Sequence, residues 1–159
     1  GDCLFGGSPS SRLFERLRQK DGLAYGTQSF LDADSFDKNA LFMAFAICAP
    51  QNALKAMTAM MDVLEGLLKK GVADKELVDG KKAYKAQFDT LLANDDAVVS
   101  LLEESLNAGR KLDYYDKLMS SLQSLTAPQI SAALAKYVKP ETFAKVKAGD
   151  IKPPAPLNN

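Results

Sequence analysis

The residues with the most chemical potential in this 159-residue chain lie in one stretch, Ser11-Arg-Leu-Phe-Glu-Arg-Leu-Arg-Gln-Lys-Asp-Gly-Leu-Ala-Tyr25. Arg18 and Tyr25 flank a glycine, Gly22, at which the chain can turn sharply. Such a turn lets a guanidinium and a phenol project to the same side. That pair suits a peptide carbonyl or carboxylate, and a phenol can hydrogen-bond a developing oxyanion. A plainer reading is also open: an arginine favoured by the dipole at a helix C-terminus, and a half-buried strand tyrosine.

Other catalytic chemistry is largely excluded. The sequence has no histidine, so the commonest metal ligand and the commonest neutral-pH base are both missing. Ser-His-Asp and Cys-His arrangements therefore cannot form. The two cysteines, Cys3 and Cys48, are far apart in sequence and read as two buried thiols rather than a disulfide. Asp95-Asp96 and Glu103-Glu104 are adjacent on helices and diverge by about 100°, so they read as caps or solvated charge. Gly6-Gly7-Ser8 reads as a helix-entry turn, because neither the P-loop nor the dinucleotide fingerprint is present. Lys and Arg number 20 and so do Asp and Glu, which offers no electrostatic attraction to nucleic acid. No apolar run is long enough for a transmembrane helix, and the first residues do not read as a signal peptide.

Ser8-Pro9 predicts a helix start, with 10–20 helical and Leu13, Phe14 and Leu17 on its buried face. Residues 23–30 and 41–49 predict two strands joined by an aspartate-rich connection. The second is apolar throughout, which predicts a central strand covered on both faces. After Pro50, three- and four-residue spacings predict helices from Leu54 to Leu68, from an Asp74 cap through Leu91, from Asp95 to Leu106 and from Tyr114 to Leu122. Thr126-Ala-Pro-Gln129 is a capping box that opens a further helix. Residues 142–148 predict one last strand. The fold class is α+β, an incomplete antiparallel sheet packed with several helices, over residues 1–149. Residues 150–159, with three prolines, predict a disordered tail. Two or three strands are a small sheet for so much apolar helix, so a pairing segment outside this chain is expected.

Leu4-Phe-Gly-Gly, Ser11-Arg-Leu-Phe and Leu17-Arg-x-Lys-x-Gly-Leu-Ala-Tyr25 together resemble the C-terminal, non-catalytic half of pitrilysin/insulinase zinc metallopeptidases. Ala49-Pro-Gln-Asn, Glu76-Leu, Lys81, Leu125-Thr-Ala-Pro-Gln-Ile130, Tyr137-Val-Lys-Pro140 and Ala148-Gly-Asp follow in family order. The resemblance implies a half of the kind found in mitochondrial processing peptidase, here truncated at its N-terminus. It implies that zinc and the motif His-x-x-Glu-His belong to a complementary half, on the same polypeptide or on a separate subunit. It also implies that this chain binds no cofactor and cannot cleave peptides alone. In this family pattern Arg18 binds substrate backbone, and Tyr25 stabilises the scissile carbonyl or oxyanion. Arg12 and Arg16 are expected to be solvated only. Peptide substrate and the complementary half are the expected partners, and exposed strand edges predict self-association. An inactive scaffold subunit of the same fold is the alternative. Compartment stays open between bacterial periplasm and cytoplasm, leaning to periplasm.

Overall fold

The computed structural model describes residues 5–8, 10–34, 36–37, 39–111 and 113–150. The expected disordered tail falls almost wholly outside them, as does Cys3. The first helix, α1, spans Arg12–Phe14 and widens into a π-helical segment over Glu15–Lys20. Its cap is Ser11, not Ser8: the Ser11 hydroxyl accepts from the Phe14 amide, while the Ser8 carbonyl serves the turn before it. The Asp21 amide donates to the Arg16 carbonyl five residues back, which is the π geometry. Gly22 then takes φ +59°, a left-handed conformation in which side chains other than glycine are disfavoured, and ends the helix.

Two antiparallel strands follow, β1 at Gly26–Ala33 and β2 at Ala40–Ile47, in register from Gly26 opposite Ile47 to Ala33 opposite Ala40. The expectation that β2 is covered on both faces is not met. Phe42, Ala44 and Ala46 pack against the core, while Leu41, Met43, Phe45 and Ile47 alternate with them and are exposed. Composition hid the alternation because both rows are apolar. Among the described residues β2 has β1 as its one sheet neighbour.

The rest is helical. After a 3₁₀ turn at Pro50–Asn52 come α2 (Ala53–Lys70), α3 (Asp74–Leu92), α4 (Asp95–Asn107), α5 (Tyr114–Ser124) and α6 (Ala127–Tyr137). Asp74 is the first helical residue of α3 rather than its cap. The Thr126–Gln129 capping box forms as the sequence predicts. The last predicted strand does not: Pro140–Thr142 makes a 3₁₀ turn and 143–148 join no sheet. Without a strand edge beside it, that segment contributes Phe143, whose ring lies 6.0 Å from Phe42.

The core joins Phe5, Leu13 and Leu17 to Ala56, Ala59, Leu64 and Leu67 of α2, with Val72, Leu77 and Ala127 beyond. A second cluster ties α3 to α5 through Phe88 and Tyr115, with rings 5.7 Å apart, and Arg110 lies 4.6 Å over Tyr114. The methionines of α2, Met57, Met60 and Met61, are half-buried, and Met60 packs against the core.

Candidate functional site

The Arg18 guanidinium is brought to the backbone of Tyr25, not to its phenol. The Arg18 Nη1 donates to the Tyr25 backbone carbonyl at 2.7 Å. The guanidinium also lies over the Phe14 ring, 5.2 Å from its centroid, a cation–π contact. Tyr25 is 70 % exposed and stands just ahead of β1. Its position is set by backbone bonds on three sides. The Leu17 carbonyl accepts from the Leu23 and Ala24 amides at 2.7 and 3.2 Å, the Asn52 side chain donates to the Leu23 carbonyl, and the Tyr25 amide donates to the Ile47 carbonyl. The turn after the π segment is thereby stitched to both α1 and β2. Leu13 and Leu17, each 0 % exposed, hold the opposite face of α1 in the core.

Phe14 is a member of the site that the sequence assigned to the core. It is half-buried and supports the arginine. The helical spacing of Phe14 and Arg18, one turn apart, was the available signal. Beside Phe14 a shallow groove is lined by Gly6, Gly7, Ser8, Thr27 and Gln28. The Thr27 Oγ1 there is buried and has no hydrogen-bond partner among the described residues.

The expectation that Arg12 and Arg16 are merely solvated is corrected. Arg12 Nε and Nη2 make a bidentate pair with Glu76, both at 2.7 Å, and Nη2 also donates to the Gly71 carbonyl at 2.8 Å. Arg16 pairs with Asp21. The Arg12 partner lies in another helix, so no local spacing could reveal it. The Glu76 carboxyl is held below the usual carboxylate range, chiefly by the Arg12 hydrogen bond. Burial opposes that effect and the Ala73 amide reinforces it.

A stability prediction follows from the Glu76 shift. A depressed carboxylate contributes stability that is fully present above its unfolded pKa and is lost as pH falls through the folded value. The melting temperature should therefore decline on acidification through and below the ordinary glutamate range, and Glu76→Gln should lack that component. At neutral pH the same substitution should cost on the order of 1 kcal/mol, the upper end for a partly exposed pair with bidentate geometry. Thermal melts of both proteins between neutral and acid pH check this. Parallel pH dependence in the two would refute it.

The donors present do not fit a zinc ion. Among the described residues no group of three or more histidine, cysteine, aspartate or glutamate side chains could hold a metal. Cys48 is a half-buried free thiol. Among the described residues no helix is long and apolar enough to cross a membrane.

Comparison with known proteins bears on the family and the fold. The family model described as the peptidase M16 inactive domain matches residues 3–84, just over half of the chain. An uncharacterized zinc protease of Mycobacterium tuberculosis is 28 % identical over 128 residues, covering 80 % of this chain and 28 % of its own length. One from Bacillus subtilis is 23 % identical over 141 residues, covering 89 % and 34 %. The chain thus spans about a third or less of these relatives. The crystal structure of a peptidase M16 inactive domain from Pseudomonas fluorescens superposes with a TM-score of 0.76 at 26 % identity, over 88 % of this chain and 33 % of that one. An inactive peptidase domain from Bordetella parapertussis shares the fold, with a TM-score of 0.70 at 20 % identity over 85 % and 72 %. With the α+β architecture, the family match and the absence of histidine in agreement, the chain belongs to the peptidase M16 inactive-domain family, in the pitrilysin/insulinase group of metallopeptidases.

Proposed function

We propose that this chain is the substrate-contacting wall of a zinc metalloendopeptidase whose metal is held by a complementary half, on the same polypeptide or on a partner subunit. The observation that carries the reading is the pairing of Arg18 with Tyr25 at an exposed turn stitched to the core. A guanidinium offers five N–H donors in a fixed fork. One is engaged by the Tyr25 carbonyl, and Arg18 is otherwise exposed, so the fork can take a peptide carbonyl or carboxylate. Stacking on Phe14 limits the rotamers open to Arg18 and so lowers the entropy lost on binding. The Tyr25 phenol, at the same turn, can donate to the scissile carbonyl oxygen as negative charge develops there. The hydrolytic chemistry itself is supplied by the zinc-bearing half, in keeping with relatives named zinc proteases.

The first measurement is to sequence the intact native protein and whatever copurifies with it. A His-x-x-Glu-His segment in either is the expected result, and its absence from both would leave a scaffold subunit of this fold. With the complete enzyme in hand, Arg18→Ala should raise KM for peptides about tenfold, the scale of one charge-assisted hydrogen bond, with a smaller change in kcat. Unchanged kinetics would remove Arg18 from the substrate site.

A further inference from the structure

We infer that Arg12 and Glu76 form a positioning clamp for Arg18. This rests on the proposed substrate-contacting role of Arg18 and adds two residues that do not touch substrate. α1 and its π segment run for nine residues, Arg12–Phe14 and Glu15–Lys20, too short to be stable alone in water. They carry Arg18 near one end and Arg12 at the other. Leu13 and Leu17 bury one side, but apolar burial is non-directional and permits rotation and sliding. At the end of α1 away from Arg18, a directional restraint comes from Arg12.

The Arg12 guanidinium reaches the turn between α2 and α3 with three bonds, two to the Glu76 carboxylate and one to the Gly71 carbonyl. That turn is itself held. The Ser131 hydroxyl of α6 accepts from the Val72 amide at 2.9 Å, and Glu76 accepts from the Ala73 amide at 2.8 Å. Gly71 has φ +71°, and a Cβ there would stand 2.7 Å from the Ser131 Oγ, so the turn is close-packed against α6. A chain of directional bonds therefore runs from α6 through the turn to Arg12, and the helix backbone carries it on to Arg18. The bidentate fork fixes direction as well as distance, which a lysine at 12 could not do.

The test has two independent readouts. In this chain, side-chain NMR of the Arg18 Nε–H reports whether the guanidinium is held. Glu76→Gln should make it markedly more mobile, as should Arg12→Lys, the second variant in case one folds poorly. The swap Arg12→Glu with Glu76→Arg should restore part of the order. In the complete enzyme, Glu76→Gln should raise peptide KM up to about tenfold, no more than removing Arg18 does, with kcat nearly unchanged. An Arg18 signal as ordered in Glu76→Gln as in the parent overturns the clamp, whatever the kinetics. A mobile Arg18 with unaltered KM also overturns it as a device for substrate binding. If Arg18→Ala is equally silent in that assay, the substrate-contacting reading itself falls.

Discussion

Replacing Tyr25 with phenylalanine is expected to lower kcat of the complete peptidase about 100-fold while leaving KM within a few-fold. The substitution removes one hydroxyl from a side chain that is 70 % exposed, so folding should be nearly unaffected. A donor aimed at a developing oxyanion is worth more in the transition state than in the ground state, which is why the loss should fall on turnover. Full kinetics on a peptide substrate, with a thermal melt as control, make the measurement. Unaltered turnover with intact folding would place this chain among the scaffolds. Equal losses in kcat and melting temperature would point to a structural tyrosine.

The second large effect is expected in the core. Leu17→Ala should cost about 2–5 kcal/mol of folding stability, the range for truncating a fully buried leucine. Leu17 is 0 % exposed, and it does two jobs at once. Its side chain anchors α1 in the core, and its carbonyl accepts from both Leu23 and Ala24 to carry the chain towards Tyr25. Small domains have only about 5–15 kcal/mol in total, so the variant should sit near the edge of stability. Urea denaturation of the parent and variant chains reads the difference. A loss below about 1 kcal/mol would mean that the site collapses around the cavity and that other contacts hold α1. Because Leu17 is next to Arg18, peptide binding should weaken together with stability, whereas Tyr25→Phe should separate the two.

Most of the helical layout was legible in order and approximate bounds. Glycines at 22, 71 and 109 stop helices with positive φ, and the Thr126 box opens α6 because its capping partners are three residues apart. Errors arose where one residue type permits two structures. Ser8 and Ser11 are both competent caps, and the Ser11 hydroxyl meets an amide of the first turn. β2 is apolar on both rows, so its sequence could not show which row faces the core. Residues 142–148 have strand composition, yet among the described residues they find no ladder to join.

Within the candidate site, the closeness of Arg18 to the Tyr25 backbone was legible because it is local: seven positions and one glycine turn. No spacing rule predicted the direct bond between the Arg18 guanidinium and the Tyr25 carbonyl, or the π-helical widening of the segment that carries Arg18. Arg12 with Glu76, and Ser131 with Val72, were invisible for a different reason. They join residues from separate helices, and a charged side chain in a sequence carries no mark of its partner.

The amino-acid sequence bounds the chemistry of this chain. Without histidine, this chain supplies neither the His-x-x-Glu-His motif nor an imidazole base. The sequence also determined the helix order, because periodicity and caps act over one or two turns. Only the tertiary structure decided which arginine faces solvent and which is locked to a carboxylate, and which face of β2 meets the core. Those outcomes depend on contacts between segments tens of residues apart, such as Arg12 with Glu76 and Leu13 and Leu17 with the core.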